Sequence, residues 1–254
     1  MNPVHKDIPN DALRHLSFAV IGGFFGAYAI LGRGGIFASA QTMNLLQMTF
    51  DTLDGNWWSM FLHFGALIAY ILGVSTPIFM EYFFHVDPAR LSPIVTGICA
   101  IILGFLPAET PQIVALYFIF YPMSCQWTAF SGARNFNSST IFSTNNTKQM
   151  TIGVAKVLCE HDRSQLKRAA FYGSTLVAFH CGAIVGFLAV HWLDYHASFA
   201  ALPIIAVAFY SVIREEHQCE EETEEELEEV KEELSEEIEE IEELKQLEQP
   251  AQKA

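Results

Sequence analysis

Two short polar stretches interrupt an otherwise apolar chain, and they contain most of the side chains that could bind a polar ligand. Residues 36–44 read IFASAQTMN, and residues 141–149 read IFSTNNTKQ. Each begins with Ile-Phe, continues with hydroxyl and amide side chains, and has a Thr at the same position. Such side chains satisfy backbone groups that a helix break leaves free and cap the helix that follows. Both stretches are therefore candidate ligand-binding segments.

The candidate ligand-binding residues share hydroxyl, amide or cationic side chains in or next to these stretches. They are Ser39, Gln41, Thr42, Asn44, Arg134, Asn135, Ser143, Thr144, Asn145, Asn146, Thr147, Lys148 and Gln149. We expect short helices to begin within residues 45–50 and 147–158, with their N-termini facing the breaks. Helix N-termini are partially positive and favour an anionic or strongly dipolar ligand. Lys148 adds positive charge there, although Lys148 and Arg134 are explained equally well as markers of a cytoplasmic loop.

His180 is the one ionisable side chain deep within a charge-free span, which makes it a candidate for proton coupling. A neutral histidine that is hydrogen-bonded to a neighbouring helix explains it equally well. The sequence has no metal-ligand spacing, nucleophile elbow or phosphate loop, and its five Cys form no CxxC pair. We expect no catalytic residue, metal or cofactor. An intramembrane enzyme that uses His180 or Lys148 is the least supported alternative, because no acid–base pair occurs at helical spacing.

Six charge-free spans must position these residues. They cover residues 15–32, 55–80, 91–108, 110–133, 169–193 and 195–213. A transmembrane helix needs roughly 17–25 mostly apolar residues, so each span is long enough. A soluble core supplies one or two such spans but not six in succession. The sequence predicts an all-α polytopic membrane protein with six transmembrane helices.

The two polar stretches occupy matching places in an internal repeat. A shift of 105 residues aligns Ile36 with Ile141 and Thr42 with Thr147, and in each case one span precedes the stretch and two follow it. Because each half has three crossings, the halves must have opposite orientations, as in many transporters. We predict two inverted repeats, each with a broken or short helix, at residues 13–106 and 107–213. A cytoplasmic N-terminus at residues 1–12 and a tail at residues 214–254 complete the chain.

The formal net charge of −15 belongs to the tail, since residues 215–254 contain 19 Glu and three Lys. A sequence pI of 4.9 excludes non-specific nucleic-acid binding. Apolar residues form one helical stripe in the tail, and this pattern predicts an acidic amphipathic helix. A coiled coil or a helix that binds a cytoplasmic partner is one interpretation, and a solvated, partly disordered tail is the other. The stripe consists of Leu227, Val230, Leu234, Ile238, Ile241, Leu244 and Leu247.

Basic residues predict the orientation in the membrane. With the N-terminus inside, the cytoplasmic loops and C-terminus hold all but one of the loop cations, and only Arg33 lies outside. This asymmetry favours cytoplasmic N- and C-termini. Small-residue spacings, such as Gly182 and Gly186, are compatible with a homodimer. The inside cations are Arg90, Arg134, Lys148, Lys156, Arg163, Lys167, Arg168 and Arg214.

The two polar regions resemble the signature regions of the YoaK-like family of uncharacterised bacterial membrane proteins. Residues 125–150, CQWTAFSGARNFNSSTIFSTNNTKQM, match the second region closely. In residues 34–46, the Gln41-Thr42 pair and Asn44 match the first region, but Ser39 and Met43 replace the usual Asn and Gly. The resemblance covers residues 13–213 and implies a six-span protein of the bacterial inner membrane without a settled activity.

Because the resemblance implies no activity, the function has to be inferred from the physical properties of the sequence. The leading hypothesis is a secondary transporter or channel for a small polar or anionic solute, with the site between the two polar breaks. The alternative is a membrane scaffold or sensor that does not transport and that recruits a cytoplasmic partner through its acidic tail.

Overall fold

The computed structural model describes residues 11–248, without some tail side chains between residues 222 and 248. The predicted cytoplasmic segment 1–12 therefore lies almost wholly outside the described residues. The elements in chain order are α1 (Asp11–Gly32), α2 (Gln41–Leu53), α3 (Trp57–Phe84), α4 (Pro88–Phe105), α5 (Gln112–Ala129), β1 (Gly132–Ala133), β2 (Phe136–Asn137), α6 (Thr144–Cys159), α7 (Gln165–Leu193), a 3-10 helix (Asp194–Ala200) and α8 (Ala201–Glu248).

The predicted all-helical architecture is confirmed, apart from one antiparallel hairpin in which Gly132 pairs with Asn137 and Ala133 with Phe136. Among the described residues, four helical segments are long and apolar enough to cross a membrane. They are Asp11–Gly32, Trp57–Phe84, Pro88–Phe105 and Gln165–Glu232, the last of which contains α7, the 3-10 helix and the start of α8. The structure therefore confirms several long apolar helices, and the six separate spans predicted from the charge-free segments stay a prediction.

Helix α1 is the most buried long helix, and glycines let its neighbours approach its backbone. A Cβ on Gly23 would overlap the backbone of Phe179 in α7, and a Cβ on Gly182 would overlap that of Val20. Further along, Gly186 contacts the backbone of Phe24. From Val20 and Gly182, through Phe24 and Gly186, to Gly32 and Val190, the contacts advance along both helices, so α1 and α7 run parallel. Close backbone approach at small residues is the usual way in which helices associate in lipid.

Helices α3 and α5 form a second parallel pair. The Tyr117 hydroxyl of α5 donates to Leu62 O at 2.6 Å, and the Ser124 hydroxyl donates to Tyr70 O at 3.0 Å. A Cβ on Gly73 would overlap Ser124 as well. Helix α5 runs antiparallel to α1, because Phe130 stacks on Phe18 and Gln112 lies beside Gly34. The start of α3 and the start of α7 therefore lie toward opposite ends of the bundle.

The segments after α1 and α5 fold back onto the middle of α1. In the second, Thr140 O and Ile141 Cα would meet a Cβ on Gly22, and in the first, the ring of Phe37 covers Gly26. These glycines are one helical turn apart, about 6 Å along the axis. The repeated Ile-Phe pairs therefore contribute to one central apolar layer, in which Ile141 is fully buried.

The chain forms two compact units, Met1–Ile213 and Arg214–Ala254. In the second unit, α8 continues to Glu248, and its described apolar side chains are half exposed: Leu227, Val230, Leu234 and Ile238 are 50–59% accessible. The other three residues of the predicted stripe, Ile241, Leu244 and Leu247, have side chains outside the described set.

Candidate functional site

Asn146 fastens the second polar segment to the start of α6. Its amide Nδ2 donates to Ser139 O at 2.7 Å and to Phe142 O at 3.1 Å. Its Oδ1 accepts from the Ser138 hydroxyl at 3.0 Å and from Ser139 N at 3.4 Å. With only 2% of its surface accessible, this side chain satisfies backbone groups that would otherwise lie unpaired inside the protein.

The same segment is tied to α1 and α5 by a buried polar chain. His15 Nε2 lies 3.0 Å from the Ser138 hydroxyl, and Gln126 Nε2 donates to Thr140 Oγ1 and to Phe18 O, both at 2.9 Å. From His15 to Gly22 is seven residues, so the segment reaches about 10 Å along α1. Irregular backbone at this depth is tolerated only where protein or a watery cavity surrounds it.

A cavity of about 390 Å³ lies between the hairpin, α6 and α7. Arg168 Nη2 donates to Gln149 Oε1, and Gln149 Nε2 donates to Asn145 Oδ1 at 3.3 Å. Arg168 Nε is buried without a hydrogen-bond partner among the described residues. The lining contains one cation, several amides and no carboxylate, which suits an anionic ligand. It consists of Asn135, Phe136, Asn137, Asn145, Gln149, Arg168 and Tyr172.

The first polar stretch belongs to a different network, between α2 and α3. Asn44 is fully buried, and its Nδ2 donates to Gln41 Oε1 at 2.9 Å and to His63 O at 3.0 Å. Asn44 Oδ1 lies 2.8 Å from His63 Nδ1. One turn of α2 and the first two turns of α3 are therefore joined through amide and imidazole groups.

The network ends at a buried carboxylate. Asp51 Oδ2 accepts from the Ser59 hydroxyl at 2.7 Å, and Asp51 Oδ1 accepts from Gln47 Nε2 at 3.2 Å. His63 Nε2 is 3.8 Å from Asp51 Oδ2. Since Asp51 and His63 are only 6% and 5% accessible, this is an acid–base pair inside the protein.

Both segments contain buried polar atoms that have no hydrogen-bond partner among the described residues. They are Ser39 Oγ and Gln41 Nε2 near the first stretch, and His15 Nδ1 and Gln126 Oε1 near the second. Buried polar groups are normally paired, so an unpaired one marks a place where a polar ligand or water is favoured.

The structure divides the sequence-predicted site residues between these two places. Ser39, Gln41 and Asn44 lie toward the end of the bundle where α3 begins, whereas the residues from Arg134 to Gln149 lie toward the end where α7 begins. Asn135, Asn145 and Gln149 share the cavity, and Asn146 and Ser143 lie beside it in the α6 cap region. The remaining predicted residues are exposed: Thr42, Arg134, Thr144, Thr147 and Lys148.

The predicted helix starts require a correction. Helix α2 begins at Gln41 and α6 at Thr144, so the polar residues form the first turns of the helices, and the breaks precede them. We expected α2 to begin within residues 45–50 and α6 within residues 147–158. The reason is that amide and hydroxyl side chains stabilise a first turn by bonding to the preceding segment, as Asn146 does.

The positions of His180 and of the Gly182 and Gly186 pair affect two other predictions. His180 is exposed on α7, and its Nδ1 lies 2.7 Å from Leu176 O of the same helix. Gly182 and Gly186, which were compatible with a homodimer, are buried against α1 of the same chain. A homodimer would therefore need another surface.

Sequence reasoning missed Arg168, Asp51 and His63. From the sequence, Arg168 is only a marker of topology, and neither Asp51 nor His63 stands out as a site residue. A signal was available, because Ser59 and His63 are four residues apart and so share one face of a helix. Asp51 comes eight residues before Ser59, at the distance that a tight helical hairpin brings together.

Long apolar helices, close glycine packing and buried irregular segments indicate an integral membrane protein. The chain belongs to the family described as "Protein of unknown function (DUF1275)", whose profile matches residues 15–213. This confirms the resemblance to an uncharacterised family and leaves the acidic tail outside the match. Comparison with curated proteins and with solved structures gave no match.

Proposed function

We propose that the protein is a secondary transporter that moves a small anion across the bacterial cytoplasmic membrane without changing it chemically. The observation that carries this proposal is the pair of segments that fold back onto the middle of α1 at Gly22 and Gly26. Each is followed by a short helix with buried polar groups in its first turn. Discontinuous helices that meet inside the membrane form the solute sites of many transporters.

The helix pairing supports an inverted repeat. If α1, α2, α3 and α4 correspond to α5, α6, α7 and α8, the α1–α7 pair corresponds to the α5–α3 pair, and both run parallel. The α2–α3 hairpin then corresponds to the α6–α7 hairpin. Six crossings follow, made by α1, α3, α4, α5, α7 and the first part of α8, with both termini in the cytoplasm by the positive-inside rule.

The cavity beside Arg168 supports an anion as the solute. Its amides and its single guanidinium provide donors, and the lining contains no carboxylate to repel a negative charge. Lys148 and Lys167 are exposed on α6 and α7 and raise the local positive potential. In the proposed orientation this cavity opens to the cytoplasm.

The central apolar layer favours alternating access over an open channel. Ile141 is fully buried, and the Phe37 ring covers Gly26, so apolar groups occupy the level between the two polar clusters. A solute would pass only when one half moves relative to the other, as in rocking transporters with inverted repeats.

The test is uptake of radiolabelled phosphate, succinate and aspartate by liposomes that contain the full-length protein. We expect uptake of at least one anion above that of protein-free liposomes. Arg168→Gln should reduce uptake at low solute concentration about 10–100-fold, because hydrogen bonds to charged groups contribute about 1.5–3 kcal/mol. Arg163→Gln is the matched control, since Arg163 is exposed in the α6–α7 connection, five residues before Arg168. Wild-type liposomes that take up none of these anions would contradict the proposal.

A second function is favoured by the exposed apolar stripe of the tail. Leu227, Val230, Leu234 and Ile238 remain half exposed between Glu residues, as expected of a helix that binds a partner. On this alternative the protein is a membrane scaffold or sensor. Deletion of residues 220–254 separates the two: a transporter keeps its anion flux, whereas a scaffold loses the association of its cytoplasmic partner with the membrane.

A further inference from the structure

We propose that Asp51 and His63 form the proton-binding site that couples a proton to solute movement, a role that rests on the proposed transport function. Both side chains are buried, and their nearest atoms are 3.8 Å apart. His63 is six residues after Trp57, at the start of α3, so it lies about 9 Å along the helix from that end. Burying a carboxylate and an imidazole within a membrane helix bundle costs free energy, and ionisable residues in such positions usually have a functional role.

The hydrogen bonds define where the proton binds. Asn44 Nδ2 donates to two acceptors, so Asn44 Oδ1 faces His63 Nδ1 and accepts a hydrogen bond from the N–H at that position. In neutral His63 the lone pair is then on Nε2, which faces Asp51. Asp51 accepts hydrogen bonds from the Ser59 hydroxyl and from Gln47 Nε2. The proton taken from water binds to Nε2, and the imidazolium that results is paired with the Asp51 carboxylate.

Among the described residues, few other titratable or charged groups surround the pair. Helix α5 contributes Tyr117, whose hydroxyl donates to the carbonyl of Leu62, the residue before His63. Helix α2 ends beside the exposed Asp54. Helix α4, which also packs on α3, carries Arg90 at its opposite, cytoplasmic-side start. Asp51 is therefore the charged group in contact with the imidazole.

Coupling to the solute runs through Gln41. Its Oε1 accepts from Asn44, while its Nε2 and the neighbouring Ser39 Oγ are buried without partners among the described residues. A solute that bonds to Gln41 Nε2 reorients this amide and changes the hydrogen bond that Asn44 makes to His63. Proton occupancy at Nε2 and solute occupancy at the first stretch therefore change together, which is the thermodynamic requirement for coupled transport.

The transport test compares two signals from full-length protein in liposomes that contain a pH-sensitive dye. Addition of succinate or phosphate should change the internal pH in the wild type. His63→Gln and Asp51→Asn should reduce this pH change at least about tenfold, whereas the exchange of labelled anion, which needs no net proton movement, should remain measurable. His191→Gln is the matched control, because His191 is exposed on α7. His180→Gln tests the alternative proton site.

Two outcomes contradict the proposal directly: a pH change that persists in His63→Gln, and wild-type anion exchange without any pH change. Loss of both the pH change and the anion exchange in both variants also contradicts it, because the pair would then have a purely structural role. Absence of wild-type exchange would instead reject transport itself. The proton site is then judged by NMR of ring-¹⁵N-labelled histidine, in which the His63 Nε2 signal should change from the unprotonated to the protonated form as the pH is lowered. A His63 signal that does not change with pH, or that is the same in Gln41→Leu as in the wild type, contradicts the proposed proton site whether or not transport is observed.

Discussion

Asn146 makes more hydrogen bonds to the second polar segment than any other site residue, and two of them satisfy backbone carbonyls. Asn146→Ala removes these bonds and leaves the carbonyls of Ser139 and Phe142 buried. We expect the free energy of unfolding to fall by about 1–3 kcal/mol for each group left unpaired, with partial compensation by water. Thermal unfolding in detergent, followed by tryptophan fluorescence, measures the loss.

The control for this prediction is Asn145→Ala at the adjacent, exposed position. Because Asn145 lines the cavity and its one side-chain hydrogen bond among the described residues is to Gln149, its loss should change anion uptake and leave stability within about 0.5 kcal/mol. Equal destabilisation by both variants would show that Asn146 does not have this structural role.

Asp162, in the connection between α6 and α7, provides a pH-dependent prediction. Hydrogen bonds from the Ser164 hydroxyl at 2.6 Å and from Ser164 N at 3.0 Å hold the pKa of Asp162 below its ordinary value. Because the pKa of Asp162 is lower in the folded protein, its carboxylate stabilises the fold at pH values above the pKa that it has in the unfolded chain. This contribution is lost as the pH falls through the lowered pKa of the folded protein. Carboxyl ¹³C NMR should find the midpoint below 3.8, and Ser164→Ala should raise it.

At the scale of elements, the close approach between α1 and the second segment determines whether a glycine can be replaced. A Cβ on Gly22 would overlap Thr140 O and crowd Ile141 Cα, whereas the nearest atom to a Cβ on Gly97 of α4 is 4.0 Å away, on Ile205. Gly→Ala in a helix is worth about 0.5–1 kcal/mol when space allows. We therefore expect Gly97→Ala to be neutral or stabilising.

Gly22→Ala should instead displace the segment, lower the unfolding temperature and reduce anion uptake, because backbone atoms cannot move aside as a flexible side chain can. Uptake and thermal unfolding of the two variants, measured side by side, check this. A Gly22→Ala protein as stable and active as Gly97→Ala would mean that the segment does not pack on α1 in the membrane.

The comparison between sequence and structure is also clearest for these elements. Charge-free spans predicted the long helices, since length and hydropathy alone decide what can cross a bilayer. The Ile-Phe repeat located both segments that fold back, but their polar residues form helix starts, which depend on hydrogen bonds such as Asn146 to Ser139. The two-residue strands of the hairpin carry no periodic signal. The Asp51–His63 pair depends on the α2–α3 turn, which composition does not specify.

At the scale of the whole molecule, the native cysteines can test the proposed orientation. Cys99 and Cys125 are buried, and burial should protect them from reagents, whereas Cys159, Cys181 and Cys219 are exposed. Cys181 lies beside His180 in the middle of α7, where lipid would surround it and suppress formation of the reactive thiolate. This leaves Cys159, at the end of α6, and Cys219, six residues beyond Ile213, as the thiols in water.

With both termini in the cytoplasm, a maleimide that cannot cross membranes should label Cys159 and Cys219 in inside-out vesicles and not in intact cells. Single-cysteine variants assign each signal, and detergent-solubilised protein gives the maximum labelling. The two thiols should be labelled from the same side, because two proposed crossings, α7 and the first part of α8, lie between Cys159 and Cys219. Labelling of the two thiols from opposite sides would remove one crossing from α7 or α8, and with it the inverted repeat on which the transport proposal depends.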